Sequence, residues 1–142
     1  MRNPFATVVL STCLVAIAVS ASEGEVNYRQ HTMSAIGGHM RAIVDIVRGD
    51  VPHMDHLATH ASAMADLAEI APTLFPESSK GGDALDAIWE DAEDFASKLN
   101  AFTEATAAFK TAAESGDPGE IMGAFRGVGQ ACKGCHDDYR AE

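Results

Sequence analysis

Apolar residues recur at helical spacing in four successive segments of the chain. A first helix is predicted over 26–48, where apolar side chains follow one another at intervals of three and four residues. A second is predicted over 53–71, and prolines shortly afterwards open a loop. The stripe of the first helix is formed by Met33, Ile36, Met40, Ile43, Val44 and Val47, and that of the second by Met54, Leu57, Ala61, Met64 and Ala68.

The second half of the chain repeats the pattern. A third helix is predicted to begin near Asp83, as its N-cap, and to continue for about eight turns. A fourth follows Asp117, which is predicted to cap it, with Pro118 in its first turn. The stripe of the third helix is Leu85, Ile88, Trp89, Ala92, Phe95, Leu99, Phe102, Thr106 and Phe109, and that of the fourth is Ile121, Met122, Phe125, Val128, Cys132, Cys135 and Tyr139.

Four amphipathic helices with no strand-like alternation of useful length predict an all-α fold. Most of the connections are short, which favours antiparallel neighbours. The sequence therefore predicts an antiparallel four-helix bundle, one domain over residues 22–142.

The first 21 residues have the composition of a leader. Arg2 precedes an apolar run over 5–19, and small residues end at Ala21, as at a signal-peptidase site. We predict that residues 1–21 are a cleaved signal peptide and that the mature protein is periplasmic. The apolar run is short for a membrane span, although an uncleaved anchor is an open alternative.

The net charge of the chain indicates which kinds of partner it can bind. The chain carries 21 acidic against 10 basic residues, a formal net charge of −11. Nucleic acid and anionic membrane surfaces are poor partners for such a chain. We expect neither, and no membrane attachment of the mature form.

The chemistry is concentrated near the C-terminus, in Cys132-Lys133-Gly134-Cys135-His136. C-x-x-C-H is the attachment motif of c-type haem, in which two thiols add across the porphyrin vinyl groups and the histidine binds iron. On a helix these three side chains lie at i, i+3 and i+4, on one face. Because both cysteines fall on the apolar stripe of the fourth helix, we predict one haem c, covalently attached inside the bundle.

Paired cysteines have two other common uses in proteins, and the pattern of this chain favours neither. A thioredoxin-like pair would open a helix within a βαβ unit, and the pattern predicts none. A zinc site would need more ligands, and the third cysteine lies in the leader.

Three histidines mark a second place of interest. His53, His56 and His60 share part of the second helix and could bind a transition metal. A solvated helix face explains them more simply, because they lack an obvious carboxylate shell.

The sequence as a whole resembles class II cytochromes c, most closely cytochrome c′. The resemblance covers essentially all of the mature chain, and its distinguishing feature is a haem motif at the C-terminal end. Its carriers are Tyr28-Arg29-Gln30, Met33, Gly81-Gly82-Asp83, Ile88-Trp89 and the stretch from Cys132 to Arg140.

The resemblance implies roles for eight residues. It implies thioether links at Cys132 and Cys135, with His136 as the proximal iron ligand. It places Met33 over the distal face of the iron. It implies further haem contacts by Arg29, Gln30, Asp83 and Arg140.

The function depends on the sixth coordination position of the iron. In cytochrome c′ that position is open, and the resemblance implies electron transfer and the binding of small gases such as nitric oxide and carbon monoxide. The alternative is a low-spin electron-transfer cytochrome in which Met33 is the sixth ligand. We favour the open form.

Other function classes fit less well. A peroxidase-like or nitric-oxide-reducing enzyme needs an acid–base pair over the iron, whereas the resemblance places a thioether there, so we expect no enzyme activity. A di-iron storage bundle needs Glu-x-x-His, and the chain has none. The expected partners are a redox protein with a basic surface, a small gas and a second copy in a homodimer.

Overall fold

Five α-helices form the architecture. The computed structural model describes the backbone of residues 13–142 and the side chains from Glu23 onward. Residues 1–12 of the predicted leader lie outside these described residues, and residues 13–21 form the start of α1; cleavage near Ala21 stays a prediction. The helices are α1 (Cys13–Arg48), α2 (Leu57–Ile70), α3 (Ala87–Glu90), α4 (Ala92–Ser115) and α5 (Pro118–Tyr139), and 3-10 turns lie at Met54–His56, Ala71–Leu74 and Glu77–Ser79.

The four long helices form the predicted all-α bundle. α1 packs on α2, α2 on α4 and α4 on α5. Over the described residues, α1 and α5 hardly touch each other. None of the helices in this part of the chain is long and apolar enough to cross a membrane.

Two of the predicted helix ends are confirmed, one of them by its cap. α1 ends at Arg48, and the Asp117 side chain accepts a hydrogen bond from the Glu120 amide at the start of α5. Pro118 occupies the first turn of α5, where its missing N–H costs nothing.

The prediction for the third helix was wrong in its first half. Asp91 (φ −121°, ψ 61°) breaks it into α3 and α4, and its side chain accepts from the Asp94 amide, so Asp91 is the cap and Asp83 is not. Leu85 precedes α3, outside the helices, and is 38% exposed. From Phe95 onward the predicted stripe is buried.

The buried apolar residues form two clusters. The larger cluster joins α1, α2, α4 and α5 around side chains such as Ile43, Met64, Phe109 and Val128. The smaller cluster consists of Ala71, Ile88, Phe95, Leu99 and Tyr139. Like Leu85 and Ala92, the predicted stripe residues Met54 and Met122 are exposed.

Candidate functional site

A cavity of about 710 Å³ lies between α1 and α5. Its floor is formed by apolar residues of α4, among them Phe95, Leu99 and Phe102, and one edge by Phe75 and Ile88. A bundle that leaves this much space beside its core is shaped to receive a large flat group.

The C-x-x-C-H residues lie within α5 and line this cavity. Cys132 and Cys135 are half-buried free thiols, and His136 lies one residue further along the same helix. The i, i+3, i+4 spacing has thus brought both thiols and the imidazole to one wall. Their attachment to a haem stays a prediction.

Their surroundings favour the uncharged forms of all three groups. Burial raises the pKa of Cys132, and burial with the neighbouring Cys132 raises the pKa of Cys135 to about 11. Partial desolvation, and then the nearby Arg140 guanidinium, lower the pKa of His136. A neutral imidazole is the form that binds iron.

The α1 wall of the cavity is mainly apolar. Met33, Ile36 and Met40 line it, and Met33 is packed against both apolar clusters. This places the thioether of Met33 on the helix that faces α5 across the cavity. The structure thereby brings Met33 and His136 to the same cavity, from different helices.

Arg29 also lines the cavity, but its hydrogen bonds go to a loop. Its guanidinium is 2% exposed and donates to the Ser79 carbonyl (2.5 Å), the Ser79 hydroxyl (2.9 Å) and the Gly81 carbonyl (2.7 Å). It also lies 5.4 Å from the ring centre of Phe75. Arg29 therefore fastens the loop that follows α2 to α1, a role that the sequence did not reveal.

Gln30, Asp83 and Arg140 meet at the rim of the cavity. Gln30 Nε2 donates to Asp83 Oδ1 at 3.2 Å, and Arg140 Nε lies 4.0 Å from Asp83 Oδ2. The hydrogen bond from Gln30 is the main reason that the pKa of Asp83 is lowered, with Arg140 and Arg29 adding to it. Gly82 (φ +64°) lets the backbone pass, since a Cβ there would lie 2.8 Å from Gln30 Nε2.

The C-terminus is tied to this rim through its backbone. The Leu85 amide donates to the Tyr139 carbonyl (3.1 Å), and the Ala141 amide donates to the Asp83 carbonyl (2.9 Å). These two bonds hold the end of α5, and with it His136, beside Asp83.

The smaller cluster is closed by hydrogen bonds between distant segments. Tyr139, which we had assigned to the apolar stripe, is buried and donates its hydroxyl to Asp94 Oδ2 at 2.6 Å. Trp89 Nε1 donates to the Phe75 carbonyl at 3.0 Å. The sequence did not predict either partner. Tyr139 lies 45 positions from Asp94, and Trp89 lies 14 positions from Phe75, so no local pattern connects the members of either pair.

Two further cavity-lining residues were missed. Arg41 lines the cavity two turns after Met33, and that spacing on α1 was a readable signal. His31 lines it as well.

The predicted histidine ladder is divided in the structure. His60 Nδ1 lies 3.0 Å from Nδ1 of His39, on α1. His53 and His56 lie together in the turn before α2, outside the cavity lining.

The sequence model of the family described as Cytochrome C′ matches residues 24–140. A cytochrome c′ of Pararhodospirillum photometricum is 34% identical over 85% of this chain and 99% of its own length. A cytochrome c-554 of Cereibacter sphaeroides is 31% identical over 97% of both chains.

Solved structures agree. A nitric oxide complex of a cytochrome c prime variant from Alcaligenes xylosoxidans superimposes with a TM-score of 0.80, at 31% identity, over 85% of this chain and 97% of the other. A carbon-monoxide-bound variant of the same protein gives the same TM-score, identity and coverage.

Proposed function

The chain belongs to the cytochrome c′ family, with haem c and its iron as cofactor, and from that premise we propose that it is an exported gas-binding and electron-transfer protein. The observation that carries this proposal is that Cys132, Cys135, His136 and Met33 line one cavity. When bound, the haem supplies a one-electron couple and a coordination position for a diatomic gas.

The residues present fit the haem in their chemistry. α5 offers two half-buried thiols, Cys132 and Cys135, that would form thioether links, and a neutral imidazole, His136, that would bind the iron. The apolar walls exclude water from the ring. Arg140 and Arg41 place positive charge along the cavity, where carboxylates of a haem would be attracted.

Arg29, Gln30 and Asp83 hold the rim in position in this proposal. Arg29 donates three hydrogen bonds to the loop, so its contribution is to fix the cavity wall as much as to attract a propionate. Gln30 and Asp83 are joined to each other. All three line the cavity, within reach of a bound group.

The sixth coordination position is open in this proposal, and Met33 crowds it without binding iron. Support comes from the nitric oxide and carbon monoxide complexes of structural relatives. The alternative, a Met33–His136 pair of ligands, is favoured by the position of the Met33 thioether on the α1 wall. The two forms differ in whether the cavity can admit a gas.

Optical spectra of the purified holoprotein distinguish the two forms. We expect a high-spin ferric spectrum and stoichiometric binding of carbon monoxide to the ferrous protein. The decisive variant is Met33→Ala, with Met40→Ala as matched control because Met40 lines the same wall. A far-red sulfur-to-iron band that Met33→Ala abolishes and Met40→Ala retains would show that Met33 is a ligand.

The proposal includes no enzyme activity. Arg29, the buried cation beside the cavity, donates to Ser79 and Gly81 and so is committed to the loop. Peroxide turnover above that of free haem would contradict this part.

Partners are proposed from charge alone. With a net charge of −11, the chain would attract a redox protein with a basic surface, and the association rate should fall steeply with salt. We also propose export to the periplasm after cleavage near Ala21, and a homodimer in solution. N-terminal sequencing and sedimentation of the exported protein test these two points.

A further inference from the structure

A second cluster of metal-binding side chains lies outside the haem cavity. His53, Asp55 and His56 are all exposed, and the atoms with which they could bind a metal lie within 4.8 Å of one another. None of the three lines the cavity. The proposed haem function therefore does not use them.

The local backbone explains why these side chains meet. Residues Met54–His56 form a 3-10 turn, closed by a hydrogen bond from the His56 amide to the His53 carbonyl (2.9 Å). In a 3-10 turn the side chains at i and i+3 eclipse one another. The imidazoles of His53 and His56 accordingly stack, with ring centres 4.9 Å apart and planes inclined by 13°.

Asp55 completes the set with a carboxylate. Its Oδ2 lies 3.7 Å from Nε2 of His56. The carboxylate offsets the partial positive charge at the start of α2, which would otherwise repel a cation. It also belongs to a chain whose overall charge is strongly negative.

We propose that His53, Asp55 and His56 bind one Zn²⁺ ion, with solvent in the remaining coordination position. Two imidazoles and a carboxylate form a ligand set that suits this ion, whereas Ca²⁺ and Mg²⁺ require mostly oxygen ligands. Zn²⁺ binds such ligands at about 2.0–2.2 Å, so the donor atoms must approach one another slightly. Because all three side chains are exposed, changes of rotamer suffice.

A second histidine pair supplies the control. His39 on α1 and His60 on α2 form a hydrogen bond between their Nδ1 atoms, which lie 3.0 Å apart. Burial, and then His39 and His56, lower the pKa of His60. This pair is half-buried and already has a partner, so it is not part of the proposed site.

Isothermal titration of the zinc-free holoprotein with Zn²⁺ tests the proposal, in a buffer that does not bind metals. We expect one equivalent to bind. His53→Ala and His56→Ala should each weaken binding at least tenfold, and Asp55→Asn should weaken it less. His60→Ala should stay within twofold of the parent, and the haem spectrum should be the same in all variants.

Several results would overturn the proposal. One is the absence of saturable binding, or binding that survives in the His53→Ala/His56→Ala double variant. Another is binding lost in His39→Ala or His60→Ala but kept in His53→Ala, which would assign the ion to the pair between the helices. Competition by millimolar Mg²⁺ or Ca²⁺ would equally contradict a zinc site.

Discussion

The two apolar clusters share α4 and α5 but are held together differently. In the larger cluster, Ile43 and Val128 are fully buried and the packing is dense. Its buried hydroxyl, on Thr106, returns to carbonyls of its own helix. Both clusters border the cavity, the larger one through Ile36 and Phe102, but beside the smaller one Arg29 and Tyr139 form hydrogen bonds to distant segments.

This difference shows what a cavity requires. Apolar burial is non-directional and closes space wherever it can. Side chains that border a cavity have no packing partner on one side, so they need contacts that fix distance and direction. Hydrogen bonds supply such contacts. We therefore expect changes in the larger cluster to alter stability, and changes in the smaller one to alter the haem surroundings.

The largest effect on stability is expected from Phe109→Ala. Phe109 is 1% exposed in the larger cluster, and truncation of such a residue costs about 3–5 kcal/mol. Denaturant unfolding of the holoprotein measures this, with Met122→Ala as the exposed control. The haem spectrum should not change, and a shifted spectrum would show that the two clusters are not separate.

Arg29→Met is expected to affect both stability and the site. It leaves the Ser79 and Gly81 carbonyls without their donor, at a cost of about 2–3 kcal/mol. Because the loop also borders the cavity, the haem spectrum and carbon monoxide affinity should shift. Arg126→Met, at an exposed position on α5, controls for lost charge. An unchanged spectrum in Arg29→Met would mean that Arg29 only supports the fold.

Tyr139→Phe should have a smaller effect, a fall of a few degrees in Tm. It removes the hydrogen bond to Asp94 but keeps the ring, which packs edge-on against Phe95 at 5.0 Å. That hydrogen bond raises the pKa of Tyr139, so in the parent protein it contributes stability that is lost above about pH 10, where the unfolded chain ionises.

Thermal melts at neutral and alkaline pH check this prediction. Tyr28→Phe is the matched control, since Tyr28 is 54% exposed. The difference between the parent and Tyr139→Phe should shrink at alkaline pH. If the difference in Tm stays constant with pH, the hydroxyl group stabilises the fold in a way that does not depend on its ionisation.

The sequence predicted the parts of this molecule that local pattern determines. The register of α5 placed Cys132, Cys135 and His136 on one wall, because helical geometry alone relates residues three and four apart. The break at Asp91 was missed because the apolar stripe runs through it, although Asp91 and Asp94 form a readable cap signal.

The contacts that shape the cavity could not be predicted in the same way. Ser79 lies 50 residues from Arg29, in a loop with no periodicity to analyse. Only the packing of the loop onto α1 shows which acceptors the guanidinium reaches. The family resemblance implied a haem contact for Arg29, and its hydrogen bonds to the loop become visible only once the chain is folded.

The smallest effect is expected from Asp83→Asn, at the rim of the cavity. The folded state lowers the pKa of Asp83, chiefly through the hydrogen bond from Gln30, so its charge contributes stability that is present above the unfolded pKa of about 3.9 and is lost as pH falls below it. The side-chain carbonyl of the asparagine can still accept the hydrogen bond from Gln30. The substitution therefore removes only the pH-dependent part of the contribution to stability. Because the side chain is 53% exposed, solvent screens the charge and the contribution is small.

Thermal melts between pH 3 and 6 measure this contribution. The fall of Tm with decreasing pH should be slightly less steep for Asp83→Asn than for the parent, while Asp45→Asn, at an exposed position on α1, follows the parent. Equal slopes in all three proteins would show that the rim is held by the backbone bonds to Tyr139 and Ala141, and that the charge on Asp83 contributes nothing to the cavity wall.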